Sequence, residues 1–197
     1  MTNEAEYADR MILALREKCK ERQSGQTDTG TEIAIGLSQQ ELYREEMFGH
    51  KYSILLPVIL ADMDSSIIRA KYPNNNRPQI IKTDQDNDVT MTFSIMPGQE
   101  TEEQTDILLY MRSLRNDMKK IWKQNVFYDL GKVMAGGHTV GWMDFKAFCI
   151  DGSIYSLMFL FQAGEQMVLG NFHCSFVQYD IWKPVILKLL TTIQVYE

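Results

Sequence analysis

The sequence predicts an α+β fold, an α/β/α sandwich in which helices cover both faces of an antiparallel sheet. Two tight-turn signals, Asp151-Gly152 and Gly164-Glu165, join long apolar segments of the second half of the chain into hairpins. Both faces of these strands are apolar, whereas a sheet with one wet face alternates apolar and polar residues. Both faces therefore need a cover, and two amphipathic helices flank the strands.

Composition and charge exclude several classes of protein. The 197 residues are 45% apolar and 23% charged, with a net charge of −6. Nucleic-acid binding needs clustered Lys and Arg, which this balance lacks, and the apolar content is too high for a disordered chain. No apolar run reaches the roughly 18–20 residues that span a bilayer. We therefore expect a partner that is neither nucleic acid nor membrane.

The first six residues are polar and acidic and contain no basic start or apolar run of a secretory signal. Three sparse cysteines suit a reducing compartment rather than a disulfide scaffold. Both features predict a cytoplasmic protein.

Residues 1–30 are predicted to form an N-terminal amphipathic helix and a linker, ahead of a single domain over residues 31–197. Asn3 and Glu6 make a capping box, and a Ser/Gly/Thr-rich stretch ends the helix. The apolar stripe consists of Tyr7, Ala8, Met11, Ile12, Leu15 and Cys19. It can be buried on its own domain or on another chain, and a homodimer through this helix is one form of the second case.

The first half of the main domain is predicted to mix short helices and strands. A capping box at Ser38 and Glu41 favours a short helix that includes Leu42 and Met47. The further expected elements are a strand over 52–57, a helix over 64–71, and strands over 79–83 and 89–95.

The second half is predicted to begin with the longest helix, from a capping box at Thr101 to about residue 125. Its buried stripe is expected to be Ile107, Met111, Leu114, Met118, Ile121 and Trp122. Strands are expected over 126–133, 140–150, 153–162 and 166–178. A final helix follows, with Pro184 in its first turn and an apolar face of Ile181, Val185, Ile186, Leu189, Leu190 and Ile193.

The turns also predict which residues pair across the strands. The first turn places Ile150 opposite Ser153, and the second places Ala163 opposite Gln166. One face then carries Trp142, Phe148, Ile150, Tyr155, Leu157, Phe159, Phe161, Val168, Phe172, Cys174 and Phe176. The other carries Met143, Phe145, Ala147, Cys149, Ile154, Met158, Leu160, Met167 and Leu169.

The sequence contains no recognisable catalytic or metal-binding motif. The Cys and His residues lack the close-spaced pairs of zinc sites, and no nucleophile elbow or phosphate loop is present. The acidic segment 84–88 has Val89 and Ile95 where a calcium loop needs Gly and Glu. We therefore expect no enzyme, no metal and no cofactor.

Four residues are candidates for binding. Trp142 lies near glycines at a strand end, where it is either a core anchor or an exposed recognition aromatic. Asp62 and Asp64 open a helix that continues to Arg69, and capping explains these carboxylates as well as binding does.

Several segments resemble the opening of the Ran-binding nuclear import factor family, which shares its fold with the PsbP subunit of photosystem II and with bacterial DcrB-like proteins. The matching residues are Met47-Phe48-Gly49, Ile54-Leu55-Leu56-Pro57, Asp62-Met63-Asp64-Ser65, Arg69 and Tyr72-Pro73-Asn74. The resemblance covers residues 47–197 in element order and implies an α/β/α sandwich with a non-enzymatic, protein-binding role. It also implies that Asp62 and Asp64 match the acidic surface that contacts the GTPase in the import branch, although a shared fold does not transfer a function.

The leading hypothesis is therefore a non-catalytic protein-binding or adaptor domain. The alternative is a small-ligand-binding domain whose pocket lies between sheet and helix, lined by Met and aromatic side chains. A pocket enclosed by Trp142, Phe161 and the long helix would favour the ligand, whereas a packed core with an exposed apolar patch would favour the protein partner.

Overall fold

A computed structural model describes residues 31–96, 106–150 and 152–196, which form a mostly-sheet α+β fold with two antiparallel sheets and three α-helices. The strands are β1 (Glu32–Ile35), β2 (Ser38–Met47), β3 (Tyr52–Pro57), β4 (Ala61–Asp62), β5 (Ile80–Thr83), β6 (Thr90–Ile95), β7 (Val126–Ala135), β8 (His138–Cys149), β9 (Gly152–Ala163), β10 (Gln166–Ser175) and β11 (Gln194–Val195). The helices are α1 (Ser65–Lys71), α2 (Ile107–Ile121) and α3 (Tyr179–Leu190). The predicted N-terminal helix and the capping box at Thr101 lie outside the described residues.

The predicted helix after Ser38 is wrong, because this segment forms strand β2. It pairs with β1 on one side and with β3 on the other. Phe48, Gly49 and His50 all adopt positive φ between β2 and β3 and reverse the chain. An isolated helix of this length is marginal in water, whereas the strand gains backbone hydrogen bonds along both edges. Long-range pairing therefore overrides the local capping signal.

The small sheet has the order β1-β2-β3-β11, and the large sheet has the order β4-β5-β6-β10-β9-β8-β7. The second turn is confirmed, since Ala163 pairs with Gln166. The first turn is displaced by one residue, since Cys149 rather than Ile150 closes the hairpin, opposite Gly152, and each residue of β8 therefore pairs two positions away from its predicted partner. A shift of two residues leaves every side chain on its predicted face, because the period of a strand is two.

One face of the large sheet shares a core with helix α3 and with the small sheet. Phe159, Phe161 and Phe172 are completely buried there against Trp182 and Ile186 of α3. Residues of β1, β2 and β3 join the same cluster, namely Ile33, Met47, Tyr52, Ile54 and Leu56. The small sheet and α3 therefore cover this face together, whereas the sequence predicted that helices alone would cover it.

The opposite face packs against helix α2. Ile107, Met111 and Met118 are buried with Met143 and Leu160 of the sheet, as the predicted stripe requires. The same stripe was predicted to include Ile121 and Trp122, which is wrong: they are 68% and 43% exposed. The helix ends at Ile121, and the Trp122 N–H bonds the Met118 carbonyl as a cap. Trp122 is therefore the C-cap and lies beyond the helical turns whose stripe packs on the sheet.

The last two elements also differ from the prediction at their boundaries. The fourth strand of the hairpin series ends at Ser175, and Phe176–Gln178 forms a 3-10 turn that leads into α3. Pro184 lies inside α3, in its second turn.

No helix in the ranges that the structure describes combines the length and apolarity needed to cross a membrane.

Candidate functional site

The predicted residue Asp62 lies on β4, at one edge of the large sheet, and takes part in an ion pair. The Lys82 ammonium lies 2.9 Å from the Asp62 carboxylate and 2.6 Å from that of Glu45. Burial lowers the pKa of Lys82, but its hydrogen bonds to Glu45 and Asp62 outweigh burial and raise it above its ordinary value. Because Glu45 belongs to β2 and Lys82 to β5, this ion pair links the two sheets.

Asp64 is the N-cap of helix α1. Its carboxylate accepts the Ser66 backbone N–H at 2.7 Å, and the hydroxyl and backbone N–H of Ser66 lower the pKa of this exposed carboxyl. Arg69 is exposed in the last turn of the same short helix. Asp62, Asp64 and Arg69 therefore occupy one corner of the fold, and their role in binding stays a prediction.

Trp142 lies far from that corner. Five strand spacings separate β4 from β8, which amounts to about 24 Å. The indole packs on Gly131, where an added Cβ would lie 2.9 Å from Trp142 Cζ2. The ring is half-buried against the first core cluster, and Nε1 is buried without a hydrogen-bond partner among the described residues. These contacts are those of a core anchor.

A charged network that sequence analysis missed lies beside Trp142. The Lys183 ammonium is 2.7 Å from Asp144 Oδ2 and 2.6 Å from Asp129 Oδ2, and it lies 5.4 Å from the centroid of the Trp142 ring. Asp144 is completely buried and also accepts the Tyr155 hydroxyl at 3.0 Å and the Asp129 backbone N–H at 2.7 Å. The buried carboxylate is therefore fully engaged.

The pKa directions in this network follow from burial and charge. Burial lowers the pKa of Lys183, but the hydrogen bonds to Asp129 and Asp144 outweigh it and raise that pKa. Burial and then the Asp144 charge raise the pKa of Tyr155. At neutral pH the network thus holds a charged ammonium and a neutral phenol.

A cavity of about 460 Å³ opens above this network, lined by Tyr128, Asp129, Phe176, Tyr179 and Lys183. Its aromatic wall is a row of nearly parallel rings. Phe176 stacks on Tyr179 with centroids 5.4 Å apart and on Tyr128 with centroids 6.3 Å apart. The Lys146 ammonium lies 4.1 Å from the Phe176 centroid and 5.0 Å from that of Phe148, within cation–π distance.

Exposed apolar side chains continue this row outside the cavity. Phe148 is 50% exposed and Val177 is 87% exposed. We call Tyr128, Phe148, Phe176 and Val177 the aromatic surface. It combines large rings, a cavity and fixed charges within one end of the large sheet.

A second cavity, of about 470 Å³, lies between helix α2 and the large sheet and is called here the helix groove. Its apolar side includes Met118, Trp122 and Met158, and its polar side includes Asn171 and His173. Burial, and then the charge of Lys71, lower the pKa of His173 to about 4, so that this imidazole is neutral at neutral pH.

Within the ranges described, no three His, Cys, Asp or Glu side chains are grouped to hold a metal ion.

One weak signal in the sequence could have indicated the charged network around Asp144. Asp144 and Lys146 interrupt an otherwise apolar strand on the face that carries Trp142. A charged residue on a covered face needs a partner, which predicts an ion pair. The identity of the partner is a matter of tertiary structure, because Lys183 lies on a different element.

Comparison with solved structures assigns the fold. The solution structure of cyanobacterial PsbP (CyanoP) from Synechocystis matches with a TM-score of 0.58 and 12% identity, over 83% of this chain and 98% of that chain. The Saccharomyces cerevisiae Ran-binding protein Mog1p matches with a TM-score of 0.54 and 9% identity, over 79% and 96%. The chain thus has a PsbP/Mog1-like fold, which confirms the resemblance seen in the sequence. No family model matches it, and neither does any curated protein.

Proposed function

We propose that this chain is a non-catalytic protein-binding domain whose partner docks on the aromatic surface. The observation that carries the proposal is the row of stacked rings, continued outward by exposed Phe148 and Val177. Aromatic residues are enriched at the centres of protein interfaces, where a few buried rings contribute most of the binding energy. The adjoining cavity would receive an anchor side chain of the partner.

Packing of the core supports a protein partner over a ligand held in the domain interior. Phe161 is completely buried, and the Trp142 indole packs on Gly131. The large apolar side chains of Phe148 and Val177 remain exposed to solvent, and an exposed apolar patch is typical of a protein-binding site. The Ran-binding protein Mog1p shares the fold and binds a protein, although at 9% identity this likeness concerns the fold alone.

The remaining expectations belong to the same proposal. Residues 31–197 would act as one α/β/α-sandwich domain in the cytoplasm, without enzymatic activity. Asp62, Asp64 and Arg69 would form a second contact area at the opposite corner of the large sheet. The N-terminal helix would bury its apolar stripe on this domain or in a homodimer.

Affinity capture with matched variants tests the proposal. The tagged full chain and its Phe148→Asp, Val177→Asp and Leu37→Asp variants are exposed to a lysate of the native host, and captured proteins are identified by mass spectrometry. Leu37 is fully exposed and lies on the β1–β2 turn, so its substitution controls for the added charge. We expect one partner to be captured by the wild type and by Leu37→Asp and lost from the other two variants. A co-purifying metabolite with no captured protein would overturn the proposal.

A small ligand in the helix groove is the second candidate function. The groove has the size and mainly apolar lining of small-molecule sites, with Asn171 and His173 as polar groups at one side. Native mass spectrometry of the purified chain would then show an added mass. Ala147→Phe, which fills the groove, should remove that mass, and Leu37→Phe should retain it. An unmodified mass for the wild-type chain would count against this candidate.

A further inference from the structure

Strand β7 forms one edge of the large sheet. This strand is the last in the order of the large sheet, and no described strand pairs with its outer side. It is ten residues long, with a register shift between Phe127 and Leu130. From Leu130 to Ala135 it pairs regularly with β8, so alternate backbone groups of this run point away from the sheet. Such an edge is a template for an added strand.

Basic side chains line this edge on the helix side of the sheet. The Arg115 guanidinium donates to the Tyr128 carbonyl at 2.7 Å, and the Lys119 ammonium lies 5.7 Å from the Phe127 ring centroid. Arg112 precedes Arg115 by three residues and therefore lies on the same side of α2. These contacts place one face of the helix over β7.

Lys132 adds a fourth cation from the strand itself. It pairs with Gly141, which faces α2: an added Cβ there would lie 2.7 Å from Ile107 Cγ2. Cross-strand partners share a face, so exposed Lys132 is on the helix side as well. We call Arg112, Arg115, Lys119 and Lys132 the basic edge. None of the four forms a salt bridge with another described residue.

The opposite side of the same edge carries apolar side chains, apart from Asp129, whose carboxylate is paired with Lys183. Val126 and Tyr128 are 44% and 40% exposed, and Tyr128 belongs to the aromatic surface. Further along the strand, half-buried Val133 packs against the first core cluster. An added strand would therefore meet positive charge on one face and apolar groups on the other.

We propose that β7 binds an extended segment of the partner protein in which acidic and apolar residues alternate. The segment adds a strand to the large sheet through backbone hydrogen bonds. Side chains of a strand alternate between faces, so its carboxylates meet the basic edge while its apolar side chains lie on the side of the aromatic surface. The chain as a whole has a net charge of −6, so the basic edge is a local excess of positive charge. This charge favours an acidic segment over a neutral or basic one.

A second copy of this chain is a poorer occupant of the same edge. Antiparallel pairing of two β7 strands would bring the basic edges of both copies together, including Lys132 of each. Like charges that face each other across strands are destabilising. The inference rests on the proposed protein-binding function and names the chemistry of the partner.

Titration of a short synthetic peptide of alternating Glu and Val into the full chain tests this inference. The matched control is a peptide of alternating Lys and Val, and both are measured by calorimetry and by amide hydrogen exchange. We expect only the Glu-Val peptide to bind, with protection of amides between residues 130 and 135. Lys132→Glu should weaken binding about tenfold, because it reverses a charge at the contact. Arg77→Glu, at an exposed position in the loop between α1 and β5, far from β7 in the order of the sheet, should leave binding unchanged.

Several results would overturn the inference. These are no binding of the Glu-Val peptide, equal binding of the Lys-Val peptide, an equal loss with Arg77→Glu, or protection at other strands only. A β7-mediated dimer in sedimentation experiments would also contradict it. If capture of a partner depends on Val177 while the Glu-Val peptide does not bind, the edge inference fails and the proposed function stands.

Discussion

The Lys183 ammonium lies 2.7 Å from a carboxylate oxygen of Asp144, and Asp144 is completely inaccessible to solvent. The two residues are 39 positions apart, on helix α3 and strand β8. The ion pair thus joins the last helix to the sheet at the floor of the cavity beside the aromatic surface.

Lys183→Met should destabilise the fold strongly. It leaves the buried Asp144 carboxylate with only the Tyr155 hydroxyl and the Asp129 backbone N–H as partners, and breaking a buried pair costs about 3–5 kcal/mol. Urea unfolding measures the loss. Lys120→Met is the matched control, because its pair with Asp117 is exposed and should contribute less than about 1 kcal/mol. Equal losses for the two variants would contradict the structural role of the pair.

Gly170→Ala should destabilise the centre of the large sheet. An added Cβ would lie 1.9 Å from Cζ of the Phe159 ring, which packs across Gly170 on the neighbouring strand. Such overpacking costs about 1–3 kcal/mol in the free energy of unfolding. Thermal or urea denaturation measures the change. Phe159→Leu in the same chain removes the clash, so the double variant should lose less stability than the sum of the single variants; strict additivity would refute the contact.

His173 should make stability depend on pH in the acid range. Burial lowers the pKa of His173 to about 4 in the folded chain, against about 6.5 in the unfolded chain. Between these values the unfolded state binds more protons, so stability rises with pH. Its contribution is complete above about pH 6.5 and is lost as the pH falls towards 4, by up to about 3 kcal/mol.

Urea unfolding over that pH range, on the wild type and on His173→Gln, measures this effect. We expect the variant to lose most of the slope between pH 6.5 and pH 4. His138→Gln is the control, because His138 is exposed at the start of β8. A slope that is unchanged by His173→Gln would show that other groups cause the dependence.

The two described cysteines should differ in reactivity. Cys149 is exposed, whereas Cys174 is buried and burial raises the pKa of its thiol to about 12. The thiolate is the reactive form, so iodoacetamide should alkylate Cys149 in the folded chain and Cys174 only after unfolding. Peptide mass spectrometry distinguishes the sites. Rapid labelling of Cys174 under native conditions would contradict its placement in the core.

Much of the fold could be predicted because its signals are local. Strand β3 has the boundaries that the sequence predicted, and helix α1 begins one residue after the expected Asp64. The sharp turn at Gly164-Glu165 gave the correct register for β9 and β10. Turn chemistry and capping depend on residues within a few positions of each other, so they can be recognised without knowledge of the rest of the chain.

The candidate site could be predicted only in part. Of the four binding candidates, Trp142 lies beside the Lys183 network, while Asp62, Asp64 and Arg69 lie at the far corner of the sheet. The aromatic surface draws Tyr128 from β7, Phe148 from β8, and Phe176 and Val177 from the 3-10 turn. No spacing in the sequence relates these residues, because strand order in the sheet brings them together.

The sequence by itself determined which side chains of β8, β9 and β10 share each face of the large sheet. The predicted faces are correct although the first turn is displaced, because the face of a side chain depends on the two-residue period of the strand and not on its pairing partner. Only the tertiary structure decided that the segment after Ser38 is a strand, that a second sheet covers one face, and that Asp144 meets Lys183. In each case the deciding interaction joins residues on separate elements, so the free energy that selects it arises only when those elements pack together.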